Sequence, residues 1–273
     1  MQVRNKIAVI GLGFVGGTIY KVYADYALND ANMEVVGIDP AKGLNTPYED
    51  IADADAVFVC VPSPMNKDGT ADTSILEDVI AKLKLVNYAG VIISKVTAPP
   101  DAYEKLQQDL PNLVHAPEFL TAARAYDDYI QGQFSIIGGS TRAYINEAER
   151  IIKKGQPLLK DILHCSIKEA SLAKYTINSF LAAKVIFMNE LENLAQSSGC
   201  NWSTIQQLIT LDSRIGRSHM QVPGPDGQYG FGGHCFPKDT SALLAYAKNI
   251  GVELDVLDSA VKKNMIIRLT EPK

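Results

Sequence analysis

Through its first half the chain alternates short, mostly apolar runs with longer stretches in which apolar residues recur every three or four positions. Lys6–Ile10, Glu34–Ile38, Ala56–Val61, Val91–Ser94, Leu113–Ala116 and Phe134–Ile137 are the short runs. They have the length and apolar continuity of strands buried on both faces of a sheet. Between them, Ser74–Val86 and Thr141–Lys154 carry helical periodicity, with Ser74 placed as a cap and Gly155 as a stop. Strands alternating with helices predict a parallel sheet covered on both sides. After about residue 166 the strand pattern ceases. Lys168–Ser198 reads as one helix of about 30 residues, or about 45 Å, free of Gly and Pro and ended by Gly199. The pattern therefore divides the chain into an α/β part, residues 1–166, and an all-helical part, residues 167–273.

Composition narrows the class. The 273 residues are enough for two cores, and the net charge of −5 is spread without a basic stripe. Nucleic acid and anionic membrane are thus not expected partners. No apolar run approaches the roughly 20 residues of a bilayer span, and the first strand begins too early for a signal peptide. Four cysteines, 60, 165, 200 and 235, are too few and scattered for a disulfide framework or a metal site. A cytoplasmic protein without a bound metal is expected.

Two segments carry chemistry. Gly11-Leu12-Gly13-Phe14-Val15-Gly16 follows the first strand at once and opens a helix. This is the GxGxxG turn in its strand–turn–helix context: Gly11 for the tight turn, Gly13 for close approach of a pyrophosphate, Gly16 for helix–strand packing. Asp39, at the end of the second strand, can accept hydrogen bonds from a ribose and would repel a 2′-phosphate, so NAD is expected over NADP. The first part is then a Rossmann-type, doubly wound domain. Its ligands belong beyond the carboxyl ends of the strands, where Asp39, Pro62, Ser63, Thr97 and Glu118 stand.

The second segment is Gly230-Phe231-Gly232-Gly233-His234-Cys235-Phe236-Pro237-Lys238-Asp239. It sets a thiol at the mouth of a helix that runs to Gly251, with Pro237 expected at the first helical position. The helix dipole and Lys238 favour the thiolate, the nucleophilic form; a buried small residue at a tight junction is the plainer alternative. Asp239 lies one turn beyond the thiol. Lys174 and Asn178, four apart on the long helix, share a face and could hold a developing alkoxide, although a solvated lysine is the commoner state.

Together these motifs resemble the UDP-glucose/GDP-mannose dehydrogenases. The resemblance rests on Gly11–Gly16, Val61–Pro64, Lys95–Pro100, Pro117–Leu120, Glu169–Asn189, Asp212–Gly216 and Gly230–Asp239, in family order over essentially the whole chain. The Phe236–Asp239 ending is similar to the branch that oxidises UDP-glucose; GDP-mannose and UDP-N-acetylmannosamine are the alternative substrates. The resemblance implies oxidation of a primary alcohol at C6 to a carboxylate with two NAD in turn, by way of a thiohemiacetal and a thioester on Cys235. It implies oxyanion stabilisation by Lys174 and Asn178, with Lys174 as base the alternative, proton handling by Asp239, and water positioned by Glu118 and Thr97. Cofactor contacts would come from Gly11, Gly13, Phe14, Val15, Gly16, Asp39, Pro62, Ser63, Thr97 and Lys238. The sugar nucleotide would meet Glu118, Phe119, Leu120, Lys174, Asn178, Arg214, Gly230, Phe231 and Gly232, with Arg214 reaching a neighbouring subunit in a homodimer built on the long helix.

Several positions depart from the family pattern. Ala122 stands where a second glutamate is frequent, Asp101 replaces a glycine, and Ala116 replaces asparagine or serine. Relatives continue past the helix near Val256–Arg268 into a second α/β domain that grips the uridine diphosphate, whereas the sequence ends at Lys273. Two readings stay open: an NAD-dependent nucleotide-sugar dehydrogenase, and a non-catalytic or partner-dependent fragment that binds NAD and dimerises.

Overall fold

The computed structural model describes residues 5–120 and 124–270. The chain divides into two compact units. The first comprises Met1–Pro64 and Asp72–Lys174, and the second Met65–Ala71 and Tyr175–Lys273. The division falls inside one helix.

In the first unit, strands β1 (Asn5–Ile10), β2 (Met33–Ile38), β3 (Ala56–Val59), β4 (Val91–Ser94), β5 (Leu113–His115), β6 (Phe134–Gly138) and β7 (Asp161–Cys165) form one sheet in the order β2-β1-β3-β4-β5-β6-β7. Successive residues of each central strand point to opposite faces. Ile7, Val9, Ala56, Phe58 and Ile93 therefore join one core, with helices α1 (Phe14–Ala27) and α5 (Arg142–Gly155). Ala8, Ile10, Val57, Val59 and Ile92 join the other, with α2 (Ser74–Leu85) and α3 (Pro100–Gln108). Burial on both faces explains the apolar runs.

The sheet departs from the expected all-parallel arrangement at one junction. β5 meets β6 antiparallel, through the single pair His115 and Gly138. A parallel connection needs a covering crossover helix. The only described helix between the two strands, α4 (Ala125–Ile130), has six residues and is too short to provide it. β7 extends the sheet parallel to β6. Its Asp161 and Leu163 are exposed, as befits an edge, so it lacks an apolar run to announce it.

His115 sits at this junction with no access to solvent. Its ring stacks on Tyr103 at 4.2 Å, and Nδ1 lies 3.1 Å from the Ser94 carbonyl. The Tyr103 hydroxyl in turn bonds Ser94 Oγ at 2.7 Å and the Val96 carbonyl at 2.5 Å. Burial pushes the imidazole down to about 3, with the charges of Lys95 and Lys174 acting in the same direction. Below pH 6.5 the unfolded chain therefore binds a proton that the folded site refuses until about pH 3. Stability falls as pH drops through that window, by about 1.4 kcal/mol per unit. In urea titrations between pH 6 and 4, the parent chain is expected to lose about 1 kcal/mol per unit relative to His115→Gln. Equal slopes for the two proteins would remove His115 from the acid response.

The second unit is helical. It holds the main length of α6 (Ile167–Ser197), with α7 (Trp202–Ile209), α8 (Cys235–Asn249) and α9 (Asp255–Thr270). The long helix ends as expected at Gly199, which adopts φ +68°, while the Cys200 N–H returns to the Ala195 carbonyl at 2.8 Å. Asn201 caps α7 by accepting the Thr204 N–H at 3.0 Å. The core here is Tyr175, Ala182, Ile186, Phe231, Ala242, Leu243, Leu257 and Val261.

Candidate active site

The first unit collects its candidate residues at the carboxyl ends of β1 to β5. Gly11 adopts φ +84°, and a Cβ there would lie 2.9 Å from the Cys60 carbonyl oxygen. A Cβ on Gly16 would overlap the Gly11 carbonyl oxygen outright and stand 2.8 Å from Cys60 Cβ. Gly13 faces open space. Two of the three glycines are thus demanded by the turn itself, and the third leaves a clear approach to the helix N-terminus. Phe14 is exposed at the first turn and Val15 is half-buried. Asp39 accepts the Leu12 N–H through Oδ2 at 2.8 Å, and Lys42 donates to the Leu12 carbonyl at 2.5 Å. The end of β2 therefore brackets the middle of the glycine turn. Burial pushes the Cys60 thiol beneath it up to about 12, which makes this cysteine packing rather than chemistry.

Ser63 donates to the Thr97 carbonyl at 2.7 Å and so ties the loop after β3 to the loop after β4. Pro62 beside it is exposed. Glu118 and Phe119 follow β5. The Glu118 carboxylate accepts the Phe119 N–H at 2.9 Å through Oε1 and meets the Lys95 ammonium at 3.3 Å through Oε2. Lys174, from the first turns of α6, donates to the Glu118 carbonyl and places its ammonium 4.8 Å from the centre of the Phe119 ring. Phe119 also packs on Phe134, centroids 4.9 Å apart, and Leu120 is half-buried. The structure thus brings Ser63, Thr97, Glu118, Phe119 and Lys174 to one end of the sheet, and adds Lys95. Ala122 lies outside the described residues.

In the second unit Cys235 is exposed and is the first residue of α8. Pro237 is consequently its third residue rather than its first. The ring is still harmless, because the first four N–H groups of a helix have no intrahelical acceptor. Asp239, 1% exposed, accepts from Asn178 Nδ2 at 2.5 Å through Oδ2, and pairs with Lys238 at 2.5 Å through Oδ1. Each oxygen of this buried carboxylate has its own nitrogen donor, so the acid is fixed one turn from the thiol.

The glycine loop before Cys235 is held by residues to which the sequence motifs gave no role. Asn189 accepts the Gly230 N–H at 2.9 Å. Asn264 accepts the Phe231 N–H at 2.7 Å and returns a bond to the Phe231 carbonyl at 3.0 Å. Arg268 donates to the Gly230 carbonyl at 3.0 Å while paired with Asp226 at 2.8 Å. A Cβ on Gly230 would overlap Asn264 Oδ1, and one on Gly232 would stand 2.9 Å from the Arg268 guanidinium. Contacts within the protein and a φ of +72° therefore already require glycine at Gly230, whereas at Gly232 the end of the Arg268 side chain would only have to shift. Asn264→Ala leaves the Phe231 amide and carbonyl unpaired in a buried site and is expected to destabilise the chain by about 1–3 kcal/mol. It should also alter the rate at which Cys235 reacts with a thiol reagent in native protein; an unchanged rate would show that the clamp does not set the loop.

Arg214 stands in the loop after α7 with its side chain 86% exposed, its guanidinium gripping Asp212 at 2.5–3.1 Å. Among the described residues no group of three or more His, Cys, Asp or Glu side chains is placed to hold a metal ion, and no helix is long and apolar enough to cross a membrane.

The family models for the UDP-glucose/GDP-mannose dehydrogenase family match this chain twice, the NAD binding domain over residues 41–156 and the central domain over residues 168–265. The chain belongs to that family. A UDP-glucose 6-dehydrogenase of Rickettsia typhi is 32% identical in an alignment 259 residues long that covers 91% of this chain and 57% of that protein. Among solved structures, a UDP-glucose dehydrogenase from Pyrobaculum islandicum is 25% identical with a TM-score of 0.78, covering 96% of this chain and 68% of that one. A UDP-D-ManNAc dehydrogenase from Pyrococcus horikoshii shares the fold at 21% identity and a TM-score of 0.76, covering 97% and 69%. The chain spans little more than half the length of the Rickettsia relative.

As a family member, the chain carries an NAD binding domain, and its residues fit that cofactor. The open face at Gly13 would take the pyrophosphate at the N-terminus of α1. Asp39, half-buried at the end of β2 with Oδ2 on Leu12, has a second carboxylate oxygen for a ribose hydroxyl.

Proposed function

We propose that the chain oxidises the C6 primary alcohol of a nucleotide sugar, UDP-glucose first, to the carboxylate, with Cys235 as the nucleophile. The observation that carries this reading is the buried Asp239, held by Asn178 and Lys238 one helical turn from an exposed cysteine. A structural junction has no need of an acid that is buried, doubly paired and beside a thiol. Bound NAD supplies the hydride acceptor for each oxidation. Cys235 adds to the aldehyde carbon, Asn178 and Lys174 donate to the oxyanion, and Asp239 takes and returns the proton that accompanies addition and release. Glu118 and Thr97 serve the water that hydrolyses the thioester. The Glu118 carboxylate is tied in place by the Phe119 N–H and the Lys95 ammonium. Phe14, Val15, Pro62, Ser63 and Lys238 are assigned to the cofactor, and Phe119, Leu120, Arg214 and the Gly230–Gly232 loop to the sugar nucleotide. The unpaired cysteines suit a reducing compartment such as the cytoplasm. The deciding experiment mixes the intact chain, excess NAD and limiting UDP-glucose. About two NADH per sugar is the result the four-electron chemistry requires, and NAD binding without any NADH from UDP-glucose, GDP-mannose or UDP-N-acetylmannosamine would refute it.

A second reading, NAD binding and dimerisation without turnover, has its own observation. Phe180, Phe187 and Leu194 lie exposed at seven-residue intervals along α6, a stripe on one side of the helix. An uncovered apolar stripe of this kind fits a second copy of the same helix. Phe187→Asp should then convert a dimer into a monomer in analytical ultracentrifugation. A parent chain that sediments as a monomer at all concentrations would exclude the homodimer.

A further inference from the structure

Beside Glu118, the first unit forms a partly open chamber of about 80 Å³ whose further polar lining, Asp128, Ser135 and Gln156, has no part in the reaction chemistry above. Lys95, Glu118, Asp128, Ser135 and Gln156 contribute to its walls. The Lys95 side chain is only 2% exposed, and that of Glu118 11%. An ammonium has three donors, and the only carboxylate beside that of Lys95 among the described residues is Glu118, at 3.3 Å. Glu118 Oε2 accepts no hydrogen bond from the described protein atoms. A buried ion pair with donors and lone pairs to spare is costly unless other polar groups complete it. The chamber has room for about two or three waters at roughly 30 Å³ each.

We propose that the chamber is a water site, in which the Lys95 ammonium and the Glu118 carboxylate share ordered waters that form a relay toward Asp128. Lys95 is then a positioning residue: it holds Glu118 and the first water of the relay. The inference rests on the proposed function for its purpose, the hydrolysis of the thioester. In that step a water oxygen bonds to the carbonyl carbon, and the C–S electron pair returns to the Cys235 sulfur. One proton passes to Glu118 and out along the relay, and the second leaves the acid product to solvent. Lys95 lies on the strand-end loop after β4, its N–H donating to the Val59 carbonyl at 2.9 Å, so its base is as rigid as the sheet.

Three variants of the full chain test this. Ser135→Val fills part of the chamber and leaves the ion pair intact. It should displace at least one water from a high-resolution crystal structure, leave NAD binding and thermal unfolding unchanged, and slow acid release about tenfold, so that the acyl adduct on Cys235 becomes visible by intact mass. Lys95→Met should lose the water bridging to Glu118 and slow the same step by about 100-fold, and Lys95→Arg should restore most of it. The first NADH of a single turnover should be unaffected in Ser135→Val. A parent structure with a dry chamber overturns the proposal, and so does thioester hydrolysis at the parent rate in both Ser135→Val and Lys95→Met. If the parent chain makes no NADH at all, the proposed function falls, while the water positions in the parent and in Lys95→Met still decide whether the water site exists.

Discussion

Replacing Cys235 by serine is expected to lower steady-state NADH formation by about 10³-fold or more and to leave NAD binding and thermal stability as in the parent. Stability should hold because the side chain is exposed at the first position of α8 and the substitution exchanges one small polar atom for another. The hydroxyl is a far weaker nucleophile than a thiolate near neutral pH, and an alkoxide is a far poorer leaving group than sulfur when water attacks. Chemistry past the aldehyde is therefore the part that fails. The informative measurement is stoichiometric: NADH formed per enzyme in the first turnover, followed by intact mass after quenching. The parent should show a transient acyl adduct on the peptide containing Cys235, and the variant none. Turnover of the serine variant within about tenfold of the parent would remove Cys235 from the chemistry and leave Asp239, Asn178 and Lys238 as a structural cluster.

What the sequence discloses about this fold depends on how local the physics is. Gly11, Gly13 and Gly16 are legible because the demands on them are local: a left-handed φ at Gly11 and a Cβ-free contact with the preceding turn at Gly16. The buried strands β1, β3 and β4 are legible because both faces are covered, so the residues from Ile7 to Ile10, Ala56 to Val59 and Val91 to Ile93 are all apolar. β7 is not, since an edge strand with exposed Asp161 and Leu163 looks like loop. α3 likewise buries little more than Pro100 and Tyr103 and offers no stripe to count, although Pro99-Pro100 signals a helix start. The antiparallel meeting of β5 and β6 was invisible because pairing direction is set by the connection between strands. In the candidate site, Cys235, Asp239 and Asn178 could be proposed from spacing. Lys95, Asn189, Asn264 and Arg268 could not, because each works through a partner between 23 and 41 residues away that only the folded chain supplies. Asn264 and Asn189 did carry one faint signal, since asparagine is a mediocre residue for a helix interior.

Gly16 and Gly13 of the cofactor turn separate folding from binding more sharply than any other pair in the molecule. Gly16→Val puts a branched side chain where even a Cβ overlaps the Gly11 carbonyl oxygen and crowds Cys60 Cβ at 2.8 Å. Both neighbours are held by the sheet: the Gly11 N–H donates to the Ile38 carbonyl and the Cys60 N–H to the Ile10 carbonyl, each at 2.8 Å. Neither can retreat without breaking a strand end, so α1 must lift from the sheet. α1 carries Ile19, Val22 and Tyr23 into one of the two cores. A loss of about 3–5 kcal/mol is expected, the scale of other severe core lesions, seen as a fall in thermal midpoint and in soluble yield. Gly13→Ala should behave in the opposite way. Nothing lies within 4 Å of the added carbon, and the φ of −69° suits alanine, so the fold should keep its thermal midpoint. The methyl would instead occupy the space through which a pyrophosphate reaches the α1 N-terminus. NAD affinity should drop by about tenfold or more, equivalent to about 1.4 kcal/mol, when titrated by calorimetry with no substrate present. A Gly13→Ala protein that binds NAD as tightly as the parent would place the cofactor somewhere other than this turn, whatever the family resemblance says.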